Sequence, residues 1–214
     1  MPSTVDVLLR AVPQHGLRWA GAVRWADRPQ LRGPGVYLVA RTEDPTKLPP
    51  PSTPAPLAPA ALDQLLARCP VTVDGQPASR ATLAARLGSC WLPDEPVLYI
   101  GMASRSVAER VSDYYRTPLG ARRPHKGGWF VKTLATLDQL WVHVAPADEP
   151  ERAEHDLIGA FCADVSPASQ AGLHDPQRPL PFANLVWLGQ RKRHGISDAT
   201  TSTRQGSGAI SVSG

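Results

Sequence analysis

Nowhere among the 214 residues does a run of apolar side chains approach the about 18 to 20 that a membrane-spanning helix needs. No membrane association is expected. Asp6 and Arg10 interrupt the N-terminal region where a secretory leader would carry its apolar core, so no leader is expected. Cysteine is scarce. Cys69, Cys90 and Cys162 are odd in number, widely spaced and without a CxxC partner, which argues against a disulfide-stapled scaffold and against a structural zinc site. These scarcities predict a reduced, cytoplasmic protein. The chain also lacks internal repeats and any helix-turn-helix, zinc-finger or other sequence-reading module.

What is abundant is proline. The 23 prolines are about twice the usual share and demand extended, irregular segments, while the 42% apolar and 20% charged fractions are ordinary for a globular chain. Length favours one domain with decorations. The net charge of +4 decides little by itself, but the charge is local. Between Gly101 and Leu134, Arg105, Arg110, Arg116, Arg122, Arg123, Lys126 and Lys132 face Glu109 and Asp113, an excess of five. Such clustering suits a phosphate backbone.

Along the chain, LRGPGVYLVAR (31–41) sets Val36, Tyr37, Leu38 and Val39 after a glycine-proline break and predicts a core strand. Seven prolines in positions 45–59 predict an exposed polyproline-like linker. An inserted segment over 60–95 follows, with a helix on Leu62, Leu65 and Leu66, a small strand and turn at VTVDGQ, and a second helix on Leu83 and Leu87. PVLYIG (96–101) reads as a strand, RSVAERVSDYY as a helix capped by Ser106, and GWFVKTL (128–134) and QLWVHVA (139–145) as two further strands. DEPERAEHDLIGAFCADV (148–165) is a helix opened by Pro150 with acidic residues in its first turn. RKRH at 191–194 is a basic patch, and the Ser/Thr/Gly-rich tail from Ser197 is expected to be disordered.

Three features sit oddly in this pattern. Counting three, four and seven residues on from Glu154 gives Leu157, Ile158 and Phe161, so a carboxylate stands at the edge of a core-facing stripe. It either reaches a cleft or holds something positive; the plainer reading is a first-turn glutamate favoured by the helix dipole. Arg110 lies among Val107, Val111 and Tyr114, offering either a planar fork for phosphate or a salt bridge to Asp113. Tyr37 and Tyr99 follow apolar stretches on separate strands, where tyrosine is ordinarily a core residue with its hydroxyl at the rim.

The elements occur in one order: GVY (Gly35, Val36, Tyr37), YIG (Tyr99, Ile100, Gly101), ERVSDYY, AEHDLI and PFAN. This series resembles the GIY-YIG nuclease superfamily, and the EHDLI and FAN segments look most like the incision subunit of bacterial nucleotide excision repair. The resemblance covers roughly residues 33 to 188, with the proline-rich segment and insertion interrupting it. It implies an α+β fold with a small, mainly antiparallel sheet flanked by helices. It makes residues 33–190 the nuclease domain, between an N-terminal extension (1–32) and the basic patch and tail (191–214).

By the same resemblance Glu154 is the ligand of a single divalent metal, magnesium or manganese, and Arg110 binds the scissile phosphate. Tyr37 and Tyr99 flank the attacking water, one of them as general base or water-positioner. A free tyrosine ionises near ~10, so it works as a base only where its surroundings favour the phenolate. Tyr114 takes the place where relatives carry tyrosine or histidine, Asn184 bonds the framework, and Gly101 lets the backbone pass close to metal and phosphate. Two departures are visible: Met102 stands where several relatives carry lysine, and Arg110 lies one residue further from Tyr99 than in the repair subunit. Arg105 and Lys126 are candidates to replace the missing cation. Arg122, Arg123, His125 and Lys126, in a basic loop at 120–129, are expected on the phosphate backbone. The expected function is a metal-dependent DNA endonuclease; the alternative is a weak or inactive nucleic-acid-binding module, with Met102 in its favour. A protein partner at the insertion, or a homo-oligomer, stays open.

Overall fold

The computed structural model describes residues 17–44, 47, 49–121 and 128–198. Its centre is a four-stranded antiparallel sheet in the order β1-β6-β2-β5, built from β1 (Gly21–Arg24), β2 (Gly35–Ala40), β5 (Val97–Ala103) and β6 (Trp141–Pro146). β2 is buried at all six positions, because it lies between two neighbours and is covered on both faces. That is why its sequence is a continuous apolar run rather than an alternation.

The alternation shows in how the two faces are shared. Tyr37, Val39, Leu98, Ala103 and Val142 join one cluster, while Val36, Leu38, Val97, Ile100 and Ala145 join the other. On the second face lies α4 (Pro150–Asp164), whose Ala153, Leu157, Ile158 and Phe161 are buried at helical spacing. On the first lies α3 (Val107–Arg116). Its N-terminus is capped by Ser106, whose hydroxyl accepts from the Glu109 amide, and its buried stripe is Val107, Val111 and Tyr114.

The insertion folds into the same core. α1 (Pro59–Arg68) buries Leu62 and Leu65, and α2 (Arg80–Gly88), opened by a Ser79–Thr82 capping box, buries Leu83 and Leu87. Fully burying each such leucine contributes about 1.5 to 3 kcal/mol, enough to fix the two helices to the body. Between them, β3 (Val71–Val73) pairs with β4 (Gln76–Pro77) and with β9 (Ile196–Asp198). A short α5 (Pro167–Ala171) and a hairpin of β7 (Val186–Trp187) and β8 (Gln190–Arg191) complete the described elements.

Five sequence expectations are corrected. The tail expected to be disordered from Ser197 is paired in β9 through Asp198, because β3 offers it a strand edge, and the rest of that tail lies outside the described residues. GWFVKTL is no strand: Gly128–Thr133 is a 3-10 helix that buries Phe130 and Val131, since a short apolar run can serve either geometry. The proline-rich segment is not a free linker. Arg41 donates to the Pro50 carbonyl at 2.6 Å, the Trp91 indole donates to the Ser52 carbonyl at 2.7 Å, and Leu57 bridges to Leu134, so the segment is laid against the body at residues 50–57. The sheet starts before residue 33, because Gly21–Arg24 pairs with β6 along the edge. And the basic stretch at 191–194 is split: Arg191 and Arg193 are exposed, whereas Lys192 is buried, its ammonium donating to the carbonyls of Leu180, Pro181 and Phe182 at 2.8 to 3.3 Å.

Candidate active site

In the β2–β5 register Tyr37 faces Gly101 and Val39 faces Tyr99, so Tyr37 and Tyr99 lie diagonally across one face of the sheet. Their ring centroids are 5.8 Å apart, and the Tyr37 hydroxyl is hydrogen-bonded to that of Tyr99. Gly101 makes this possible. A Cβ there would stand 2.6 Å from Tyr99 Cε1 and 2.7 Å from Tyr37 Cζ, closer than carbon atoms approach, so the two rings occupy the space a side chain would take. Tyr114, from α3, completes the aromatic group with its ring edge-on to Tyr99 at 5.6 Å.

Arg110 comes from the same helix, one turn before Tyr114, and its charge acts on Tyr37, Tyr99 and Glu154 alike. Asp113, the plainer partner, pairs instead with Arg116 at 2.8 Å. Glu154 enters from the opposite layer. Half-buried on α4, it takes a hydrogen bond from the Met102 backbone on β5, which brings its carboxylate to the strand that carries Tyr99. The charges of Arg110 and Glu154 thus act on each other and on Tyr99, linking residues of both layers around β5.

Electrostatics mark the group as short of positive charge. Burial pushes the Glu154 carboxyl up to about 7; Arg110 opposes this, Glu151 adds to it, and the Met102 amide opposes it. Burial likewise raises Tyr99 to about 12, helped by the Glu154 charge, while the bond from Tyr37 and the charge of Arg110 pull it down. Tyr37 is raised well above the ordinary phenol value too, first by burial and then by Tyr99, with Arg110 opposing.

Asn184 sets the position of β5. Its Oδ1 accepts from the Ile100 amide at 2.9 Å and its Nδ2 donates to the Ile100 carbonyl at 2.8 Å, while the Ala183 amide donates to the Leu98 carbonyl at 2.8 Å. The free edge of β5 is thereby closed at the residue between Tyr99 and Gly101. Arg105 is exposed in the bend between β5 and α3. Arg122, Arg123, His125 and Lys126 lie outside the described residues.

Lys132, counted among the basic residues of this span, has a different place. Its ammonium donates to the carbonyls of Tyr115 and Thr117 at the end of α3 and lies 5.6 Å over the Tyr114 ring, and burial lowers it to about 8. It caps the helix that carries Arg110. No local pattern announces this role, since its partners are 17 and 15 residues away. Trp25 is a second contributor absent from the sequence reading, set edge-on to Tyr114 at 5.2 Å and to Tyr115 at 4.8 Å.

Among the described residues no group of three or more His, Cys, Asp and Glu side chains gathers as a metal site. Chemically the site offers phenols, a guanidinium and one poised carboxylate. No family model, no curated protein and no solved structure matches the chain.

Proposed function

We propose that the protein is a metal-dependent endonuclease of the GIY-YIG type, hydrolysing phosphodiester bonds of DNA at the group formed by Tyr37, Tyr99, Arg110 and Glu154. The observation that carries this reading is one group of interacting side chains: Arg110 and Glu154, its carboxyl raised to about 7, act on each other and on Tyr99, which is hydrogen-bonded to Tyr37 of the neighbouring strand. A carboxylate so raised gains most from a bound cation. Magnesium and manganese suit a single protein carboxylate, since such ions keep several waters and take substrate phosphate oxygens as further ligands. The residues fit that group, with Glu154 as its holder. A divalent ion there supplies Lewis-acid polarisation of the phosphate.

The chain's own residues supply the rest. Arg110 offers a fork of donors to the phosphate oxygens and stabilises the charge that develops on them. Tyr99 takes the proton of the attacking water, and its phenolate is favoured by Arg110 and by the hydrogen bond from Tyr37. Once the charge of Glu154 is neutralised, its upward push on Tyr99 disappears. Tyr37 orients Tyr99, and Asn184 fixes the strand that both depend on.

Incubation with supercoiled, linear, single-stranded and branched DNA, each with and without magnesium or manganese, tests the reading. The wild-type chain is expected to cut only with metal. Glu154→Gln and Arg110→Ala are each expected to lose at least about 100- to 1,000-fold in rate. Wild-type protein inert on every DNA form, or undiminished cutting by both variants, refutes it. A second reading, a binding module without chemistry, is favoured by Met102 and by the high tyrosines. DNA binding without metal-dependent nicking would establish that one instead.

A further inference from the structure

Among the described residues the exposed large hydrophobic side chains sit on one hairpin: Val186 is 45% exposed and Leu188 59%. The β7–β8 turn is two residues long, Leu188 at φ +47° and Gly189 at φ +73°. Such a turn asks for residues that accept positive φ, ordinarily asparagine or glycine at both places, so leucine is a costly choice there.

The hairpin is anchored on one face. The Trp187 indole donates to the His155 carbonyl at 3.0 Å, and its ring lies against Gly159, where a Cβ would approach to 3.1 Å. Gln190 accepts from Arg178 at 3.1 and 3.3 Å. The other face presents Val186 opposite Arg191, with Leu188 at the tip. Arg193 is exposed just beyond, its backbone amide donating to Asp175, whose carboxylate pairs with Arg178 at 3.6 Å, so Arg191 and Arg193 are the exposed cations that follow the tip.

We propose that Leu188 is a wedge that enters between adjacent bases of bound DNA, with Arg191 and Arg193 on the flanking phosphates. This rests on the nuclease reading above for the nature of the substrate. A protein partner fits less well. A stable protein interface needs about 800 Å² from each side, whereas the exposed apolar side chains here are Val186 on β7 and Leu188 in the turn, with the exposed Arg191 and Arg193 following. A base step needs one apolar side chain, and phosphates need the cations. The placement agrees. Trp187 meets α4 one residue beyond Glu154.

The test uses the full chain in EDTA and duplex oligonucleotides carrying 2-aminopurine at each position in turn. Wild-type binding is expected to raise fluorescence at one step, at a fixed distance from the cut made when metal is supplied. Leu188→Asn is expected to abolish that rise and weaken binding about tenfold. Because asparagine accepts positive φ, the variant's melting temperature should equal or exceed that of the wild type, and Leu188→Gly is expected to behave alike. A folded Leu188→Asn that keeps both the fluorescence rise and the affinity overturns the wedge while cutting activity stands. So does a variant that only converts a dimer to a monomer in sedimentation. A wild-type chain that shows the fluorescence rise yet never cuts overturns the nuclease reading and supports the wedge; one that neither binds nor cuts overturns both.

Discussion

Replacing Glu154 with glutamine should stabilise the protein at alkaline pH while abolishing its chemistry. The carboxyl ionises near the ordinary 4.5 in the unfolded chain and near about 7 in the folded one, raised mainly by burial. Below about pH 4.5 it is protonated in both states and carries no penalty. Between the two values the folded protein keeps a proton the unfolded chain has lost, so stability falls as pH rises, and above about 7 the penalty is complete. At about 1.36 kcal/mol for each tenfold change in acidity the full difference is on the order of 3 kcal/mol, and water reaching the half-buried group reduces this to about 2. For a chain of this length that corresponds to about 4 to 8 °C in melting temperature. Calorimetric melts from pH 4.5 to 9 in EDTA should show Glu154→Gln above wild type at pH 8 and the gap closing toward pH 5. Magnesium or manganese should raise the wild type above pH 7 and leave the variant unmoved. Arg110→Ala, which removes a charge that pulls Glu154 down, should move the wild-type midpoint upward. A gap of constant size across the range, or a variant less stable than wild type at pH 8, refutes the reasoning.

Two further changes probe the strand that carries the tyrosines. Asn184→Ala leaves the Ile100 amide and carbonyl buried without partners, at about 1 to 3 kcal/mol each, and should speed hydrogen exchange at the Ile100 amide; unchanged exchange there would show that Asn184 does not hold the edge. Gly101→Ala forces a methyl against both tyrosine rings and should cost about 1 to 3 kcal/mol and alter the near-ultraviolet tyrosine dichroism, whereas Gly33→Ala, with nothing within 4 Å, should do neither.

The parts of the fold legible in the sequence are those whose pattern is local. Val36 to Val39 and Val97 to Ile100 announce their strands by composition, Ser106 its helix by a cap, and Pro150 its helix by a first-turn proline. The misfit of Arg110 and Glu154 with their apolar neighbours is also local, and it pointed to two side chains that the fold brings together. What escaped depends on distant partners. Gly21–Arg24 is a strand only because β6 is there to pair with it, and Phe130 and Val131 enter the core equally well from a 3-10 turn. Lys192 looks like any residue of a basic run until three carbonyls of the segment before Asn184 surround it.

The closure of β5 by Asn184 has a consequence during synthesis. Ile100 waits for a partner 84 residues downstream, which at about 5 to 20 residues per second is roughly 4 to 17 seconds of ribosome time. Until then the tyrosine strand has an open edge, and once Glu154 has been added the nascent chain carries every residue of the group except the one that locks it.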